Sequence, residues 1–188
     1  MSYRKAKQNL SGPLPPADYR RLIRHHAEIS HKFLGHVRQA GLSQERGNGH
    51  RQKGSAACRQ RMRHYDRIYD CIHRAVRATN YSGDRNLLEF VICFLEEDPR
   101  FLRSGYIKEL LLTKVKRSAL MGSDRSRLQA VLLDAVHCRG GREFKRYCRL
   151  AAKISDPVLV AALEEVAEAG DRRQISRANL MLSYTVQR

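Results

Sequence analysis

Nine side chains able to ligate a metal, His25, His26, His31, His36, His50, Cys58, His64, Cys71 and His73, crowd the first 80 residues. Tetrahedral zinc is the chemistry such a set first suggests. Ligands on one helix must share a face at a spacing of three or four, and no pair in this set has that spacing. Cys71 and His73 diverge by roughly 200° on a wheel of 100° per residue. His137-Cys138 and Cys148 lack a fourth partner, and Cys93 and Cys148 fall in or beside apolar arcs where a free thiol packs as a small core residue. The histidines read as helix-surface groups, His26 facing the core, and no metal or cofactor is expected.

The stretch Gly49-His50-Arg51-Gln52-Lys53-Gly54-Ser55 has the outline of a phosphate loop, but its lysine precedes the second glycine and no strand leads into it. It reads as a flexible connection. The acids Glu96, Glu97 and Asp98, and Glu164, Glu165 and Glu168, have no histidine or glycine-rich cradle in sequence range, so they read as solvated faces. No catalytic residue is assigned, and the chain is expected not to be an enzyme.

Basic stripes carry more information. On a helical wheel Arg142, Lys145, Arg146, Arg149 and Lys153 fall within about 100°, opposite Phe144, Tyr147, Ala151 and Ile154. Glu143 is the acid beside them and points away from the stripe. Like charges four apart repel, so an unmixed basic face points to a counter-anion. A second stripe lies in RQRMRHYDRIYDCIHRAVR, residues 59–77, where Arg59, Arg63, Arg67, Arg74 and Arg77 oppose Met62, Tyr65, Ile68, Tyr69, Ile72 and Val76. Asp66 and Asp70 dilute that stripe, Asp70 being spaced to pair with Arg74.

The elements that must position these groups are short helices. A basic, acid-free tail covers residues 1–17, a composition shared with transit addresses, and an amphipathic helix covers 18–41, with Tyr19, Leu22, Ile23, His26, Phe33, Leu34 and Val37 on one side. Residues 42–54 form a Gly-rich linker, and 55–188 an α-helical domain in which Ser55 can cap the helix of the second stripe. Asp84, Gly105, Ser123, Gly140-Gly141, Asp156-Pro157 and Gly170-Asp171 punctuate the helices beyond. Period-2 alternation is absent, so the fold class is all-α.

Sliding the chain by 31 lays Val131, Leu132, Ala135, Arg142, Phe144, Arg146 and Ala151 over Ala162, Leu163, Val166, Arg173, Ile175, Arg177 and Leu182. A shift of 38 lays Tyr106 over Phe144 and Lys108 over Arg146. Over residues 84–188 this pattern resembles HEAT-like α-hairpin repeats. The resemblance implies antiparallel helix hairpins stacked as a short solenoid, a binding scaffold without chemistry of its own, although an irregular helical bundle gives similar spacings. In that register Lys108, Arg146 and Arg177 line up on successive second helices, with Arg142 beside Arg173, as a positive ladder.

Charge names the partner class. The chain has 36 Lys and Arg against 19 Asp and Glu, a net charge of +17. Of these, 17 basic and 5 acidic residues lie in positions 1–80. A polyanion is expected: RNA or DNA, gripped through its phosphate backbone with little base discrimination, or alternatively an acidic protein received by an adaptor. Aromatic residues are 7 % and tryptophan is absent, which gives little support to base stacking. No apolar run approaches the roughly 20 residues that span a bilayer, and no secretory h-region precedes the helices. Five scattered cysteines suit a reducing compartment, so a cytoplasmic location is expected.

Overall fold

The computed structural model describes residues 14–42, 68–101, 103–138 and 141–185. Its helices are α1 (Pro16–Leu42), α2 (residues 68–77), α3 (Arg85–Glu97), α4 (Ser104–Val115), α5 (Gly122–Cys138), α6 (Phe144–Ile154), α7 (Pro157–Ala169) and α8 (Arg172–Thr185). No strand occurs among the described residues. The all-α reading holds.

Several helix starts follow from side-chain oxygens that accept otherwise orphaned N–H groups. Asp84 accepts from Leu87 N at the start of α3, and Asp156 accepts from Leu159 N at the start of α7, where Pro157 occupies the first turn. Asp171 accepts from Arg173 N and Gln174 N, while Gln174 Oε1 accepts in return from Asp171 N, closing a reciprocal cap on α8. The expected start of α5 at Ser123 is off by a little: the helix begins at Gly122, and Asp124 rather than Ser123 takes the N–H of Met121.

Packing follows a two-layer order. Helices α1, α3, α5 and α7 neighbour one another in one layer, α4, α6 and α8 in the other, and α3–α4, α5–α6 and α7–α8 pair as hairpins. The central element is α3, whose sequence RNLLEFVICFLEE buries Leu87, Leu88 and every residue from Phe90 to Leu95. A helix apolar nearly all round needs neighbours on several sides, and α1, α4 and α5 supply them.

Helix α1 contributes Tyr19 and Ile23 to this same core. Tyr19 meets Phe90 edge to face at 5.5 Å, and buried His26 meets Phe101 at 5.0 Å. Tyr19, Ile23 and His26 are buried as their spacing predicts; the side chains of Phe33, Leu34 and Val37 lie outside the described residues. In α2, Ile68, Ile72 and Ala75 are buried. Arg74 takes the α3 cap Asp84 at 2.8 Å as its partner, where the sequence suggested Asp70.

An ion-pair cluster ties three helices together. Arg127 of α5 donates to both oxygens of Glu89 and both of Glu96 on α3, at 2.6 to 2.9 Å. Arg20 of α1 donates to Glu96 at 2.9 Å, and Arg24 to both oxygens of Glu97. Arg85 grips the buried Asp124 with two nitrogens. Burial by itself raises the Glu96 and Asp124 carboxyls; the guanidiniums of Arg127 and Arg20 on Glu96, and Arg85 with the Met121 N–H on Asp124, outweigh it and hold both below their ordinary values.

A group with a depressed folded-state pKa contributes stability above its unfolded value and loses it as pH falls through the folded one. The unfolded values are 4.5 for Glu96 and 3.8 for Asp124. The thermal midpoint is therefore expected to hold steady down to about pH 4.5 and to drop below it. A Glu96→Gln variant, followed by circular dichroism, should show a shallower drop.

Burial also sets thiol reactivity. Cys93 and Cys148 are buried, and desolvation pushes both thiols up to about 11, so neither supplies a thiolate near neutrality. Cys138, at the end of α5, is exposed. Brief alkylation of the native protein near pH 8, mapped by mass spectrometry, should mark Cys138 and spare Cys93 and Cys148 until denaturant is added.

Candidate nucleic-acid interface

Helix α6 builds the centre of the basic surface. Phe144, Tyr147, Cys148, Leu150, Ala151 and Ile154 are buried, which turns Lys145 and Arg149 to solvent and leaves Arg146 half-buried beside them. Among the described residues no acid pairs with Lys145, Arg146 or Arg149. On the neighbouring α8, Arg173 is exposed and Arg177 donates to Arg173 O and His137 O. That helix also holds Arg172 and has no acid.

Three of the residues expected on the basic surface, Lys108 of the ladder, Arg142 of ladder and stripe, and Lys153 of the stripe, behave differently. Lys108 is 3 % exposed, and its ammonium donates to Asp98 Oδ1 at 2.5 Å. Asp98 caps α3 in the left-handed conformation at φ 43°, so Lys108 steadies the α3–α4 connection and is withdrawn from the surface. A shift of 36, not 38, lays buried over buried: Lys108 over Phe144, Leu111 over Tyr147, Leu112 over Cys148 and Val115 over Ala151. The shift of 31 does the same for Leu128 and Leu159, Leu132 and Leu163, Tyr147 and Ala178, and Leu150 and Met181.

Arg142 is the second departure. It stands in the turn before α6 rather than on the helix face, with its guanidinium 3.9 Å from the ring centre of Tyr106 and Nε 3.3 Å from Glu109 Oε2. Lys153 is the third: its ammonium donates to the carbonyls of Lys116 and Ser118, closing the carboxyl end of α4. That contact brings the exposed Lys116 and Arg117 beside the end of the α6 stripe. Neither was singled out from sequence, although the run Lys114-Val115-Lys116-Arg117 at a helix end is the signal that marks them.

Of the second stripe, Arg74 is exposed and bound to Asp84, and Arg59, Arg63 and Arg67 lie outside the described residues. The side chains of His36, His50, Cys58 and His64 also lie outside them. Among the described residues, no three His, Cys, Asp or Glu groups are placed to hold an ion, and no helix is long and apolar enough to cross a membrane.

Charge sorts by layer at this end of the stack. Helices α6 and α8 carry basic residues alone; α7, in the opposite layer, carries Glu164, Glu165 and Glu168 alone, all exposed. The acids of α3 are consumed by Arg20, Arg24 and Arg127. Comparison with protein-family models, curated proteins and solved structures finds no match. The surface must be read from its own chemistry.

That chemistry is cationic and only partly neutralised. At the shifts of 36 and 31, Tyr106 falls with Arg142 and Arg173, Leu110 with Arg146 and Arg177, and Thr113 with Arg149 and Leu180. Tyr106, Leu110 and Leu180 are exposed. Flexible cations one turn apart can each meet a different phosphate, with the two apolar edges of the face flanking them.

Proposed function

We propose that this chain is a non-catalytic nucleic-acid-binding protein that holds the phosphate backbone on the α6–α8 side of the stack. The observation that carries the reading is the acid-free set Lys145, Arg146 and Arg149, left without ion-pair partners among the described residues while α7 collects the acids. The reading is further supported by the fate of other reactive groups: the acids of α3 and the buried Asp124 of α5 are tied to arginines, and the buried thiols stay protonated. A HEAT-like hairpin array suits this role, since its second helices line one continuous surface.

The test is fluorescence polarisation of a labelled oligonucleotide at low and moderate salt. Binding that weakens steeply with salt is expected, because each phosphate contact releases counterions. No binding at low salt would overturn the reading. An acidic protein partner is the competing occupant, favoured by exposed Leu110 and Leu180 among the cations. It predicts instead that a partner recovered with the protein stays bound after nuclease treatment.

A further inference from the structure

We infer that Tyr106 and Arg142 form a base-stacking platform, and that the nucleic acid taken by this surface is therefore single-stranded. The inference rests on the phosphate-binding reading above and adds to it the strandedness of the ligand.

Arg142 differs from Lys145, Arg146 and Arg149 in having an ion-pair partner and a ring against its guanidinium. One face of its guanidinium covers the Tyr106 ring at 3.9 Å, and Glu109 holds its Nε at 3.3 Å. Its side chain is still 54 % exposed. Glu109 neutralises much of its charge, which makes Arg142 a poor phosphate ligand compared with Lys145, Arg146 and Arg149. What remains is a planar, weakly hydrated group, more than half exposed and set over an aromatic ring.

A flat face of this kind gains from a second flat face. In a duplex the faces of internal bases are covered by their neighbours and only edges and phosphates are presented. In a single strand the bases can splay out and stack on aromatic rings or guanidinium planes. The phosphate-binding cations lie three to seven residues beyond Arg142, and Lys145 to Arg149 span about 6 Å along the helix axis. A strand can thus lay one base on Arg142 while its neighbouring phosphates reach α6. Tyr106, the residue that makes this plane rigid, lies on α4 in a position where its own packing buries little: it is 54 % exposed.

The experiment compares the wild-type chain on four labelled probes of equal length: oligothymidylate, oligouridylate, an abasic strand with the same number of phosphates, and a duplex. Base-bearing single strands should bind roughly tenfold more tightly than the abasic strand, the scale of one stacked base. Tyr106→Ala should remove that preference, while Tyr106→Phe should keep it. Arg142→Lys, which retains the charge without the plane, should behave like Tyr106→Ala.

Equal affinity for base-bearing and abasic strands, or a preference that survives Tyr106→Ala, would overturn the platform while leaving the phosphate reading intact. Tighter binding of the duplex than of either single strand would do the same. Failure of all four probes to bind at low salt would overturn both. The melting temperature of each variant, expected to match wild type for so exposed a ring, shows that lost preference is not lost fold.

Discussion

Replacing Arg127 by alanine is expected to lower the unfolding free energy by about 3 kcal/mol, read as a fall in the denaturant midpoint at pH 7. The size follows from what is left behind. Arg127 answers four carboxylate oxygens, on Glu89 and Glu96, and those side chains are only 15 % and 19 % exposed. Without it, Glu89 loses its ion-pair partner, and Glu96 keeps Arg20 alone. Two carboxylates then remain within the α1–α3–α5 junction with four of their five arginine hydrogen bonds gone, and removing one side of a buried pair is costly for that reason.

The pH dependence separates this cause from simple loss of packing. Arg127 and Arg20 hold Glu96 ionised below its ordinary value of 4.5. In the alanine variant burial dominates and the carboxyl rises. The difference between wild type and variant should be full at pH 7 and should narrow as pH falls through the raised carboxyl of the variant toward the depressed one of the wild type. A difference that stays constant to pH 3 would assign the effect to packing. Arg127→Lys, which supplies charge but not the fork that spans two carboxylates, should recover only part of the loss.

The second large effect concerns binding. Changing Lys145, Arg146 and Arg149 together to glutamine should weaken oligonucleotide binding about a hundredfold at moderate salt, since three phosphate contacts and their released counterions are lost. These side chains project away from the buried face of α6 and have no ion-pair partner among the described residues, so thermal stability should change little. Glutamine at Arg21 and Arg125, exposed on the layer that carries α7, removes two charges while leaving the second-layer surface untouched. That control should reduce affinity far less. Equal losses from the two sets would mean that net charge attracts the ligand and that no particular face holds it.

How far the sequence reaches can be judged residue by residue. Asp84, Asp156 and Asp171 act through the chain immediately after them, so their capping roles are visible in a linear text. The burial of Ile23, His26, Ile68, Ile72, Phe144, Tyr147 and Ile154 follows the helical period for the same reason. Lys108 was misplaced because its role is set by Asp98 ten residues away, in a connection whose left-handed backbone no local pattern announces. A two-residue error in register then moved a buried cation onto a surface ladder.

Arg142 fails for a related reason. The wheel that placed it on the α6 face assumed a helix continuing to residue 142, and the chain instead turns at Gly141–Glu143. In that turn the side chain swings toward α4, whose Tyr106 and Glu109 are more than thirty residues earlier. Such pairings depend on which hairpins neighbour each other. They become visible only when α4 and α6 are seen side by side in one layer, as does the approach of Lys153 to the end of α4.

The most direct test of the phosphate-binding account is the slope of log Kd against log salt for the wild-type chain and for the Lys145, Arg146 and Arg149 glutamine variant on one oligonucleotide. A steep wild-type dependence is expected, flattened in the variant by about 2 to 3, one counterion for nearly every contact removed. Parallel lines for the two proteins, or a wild-type affinity indifferent to salt, would contradict it.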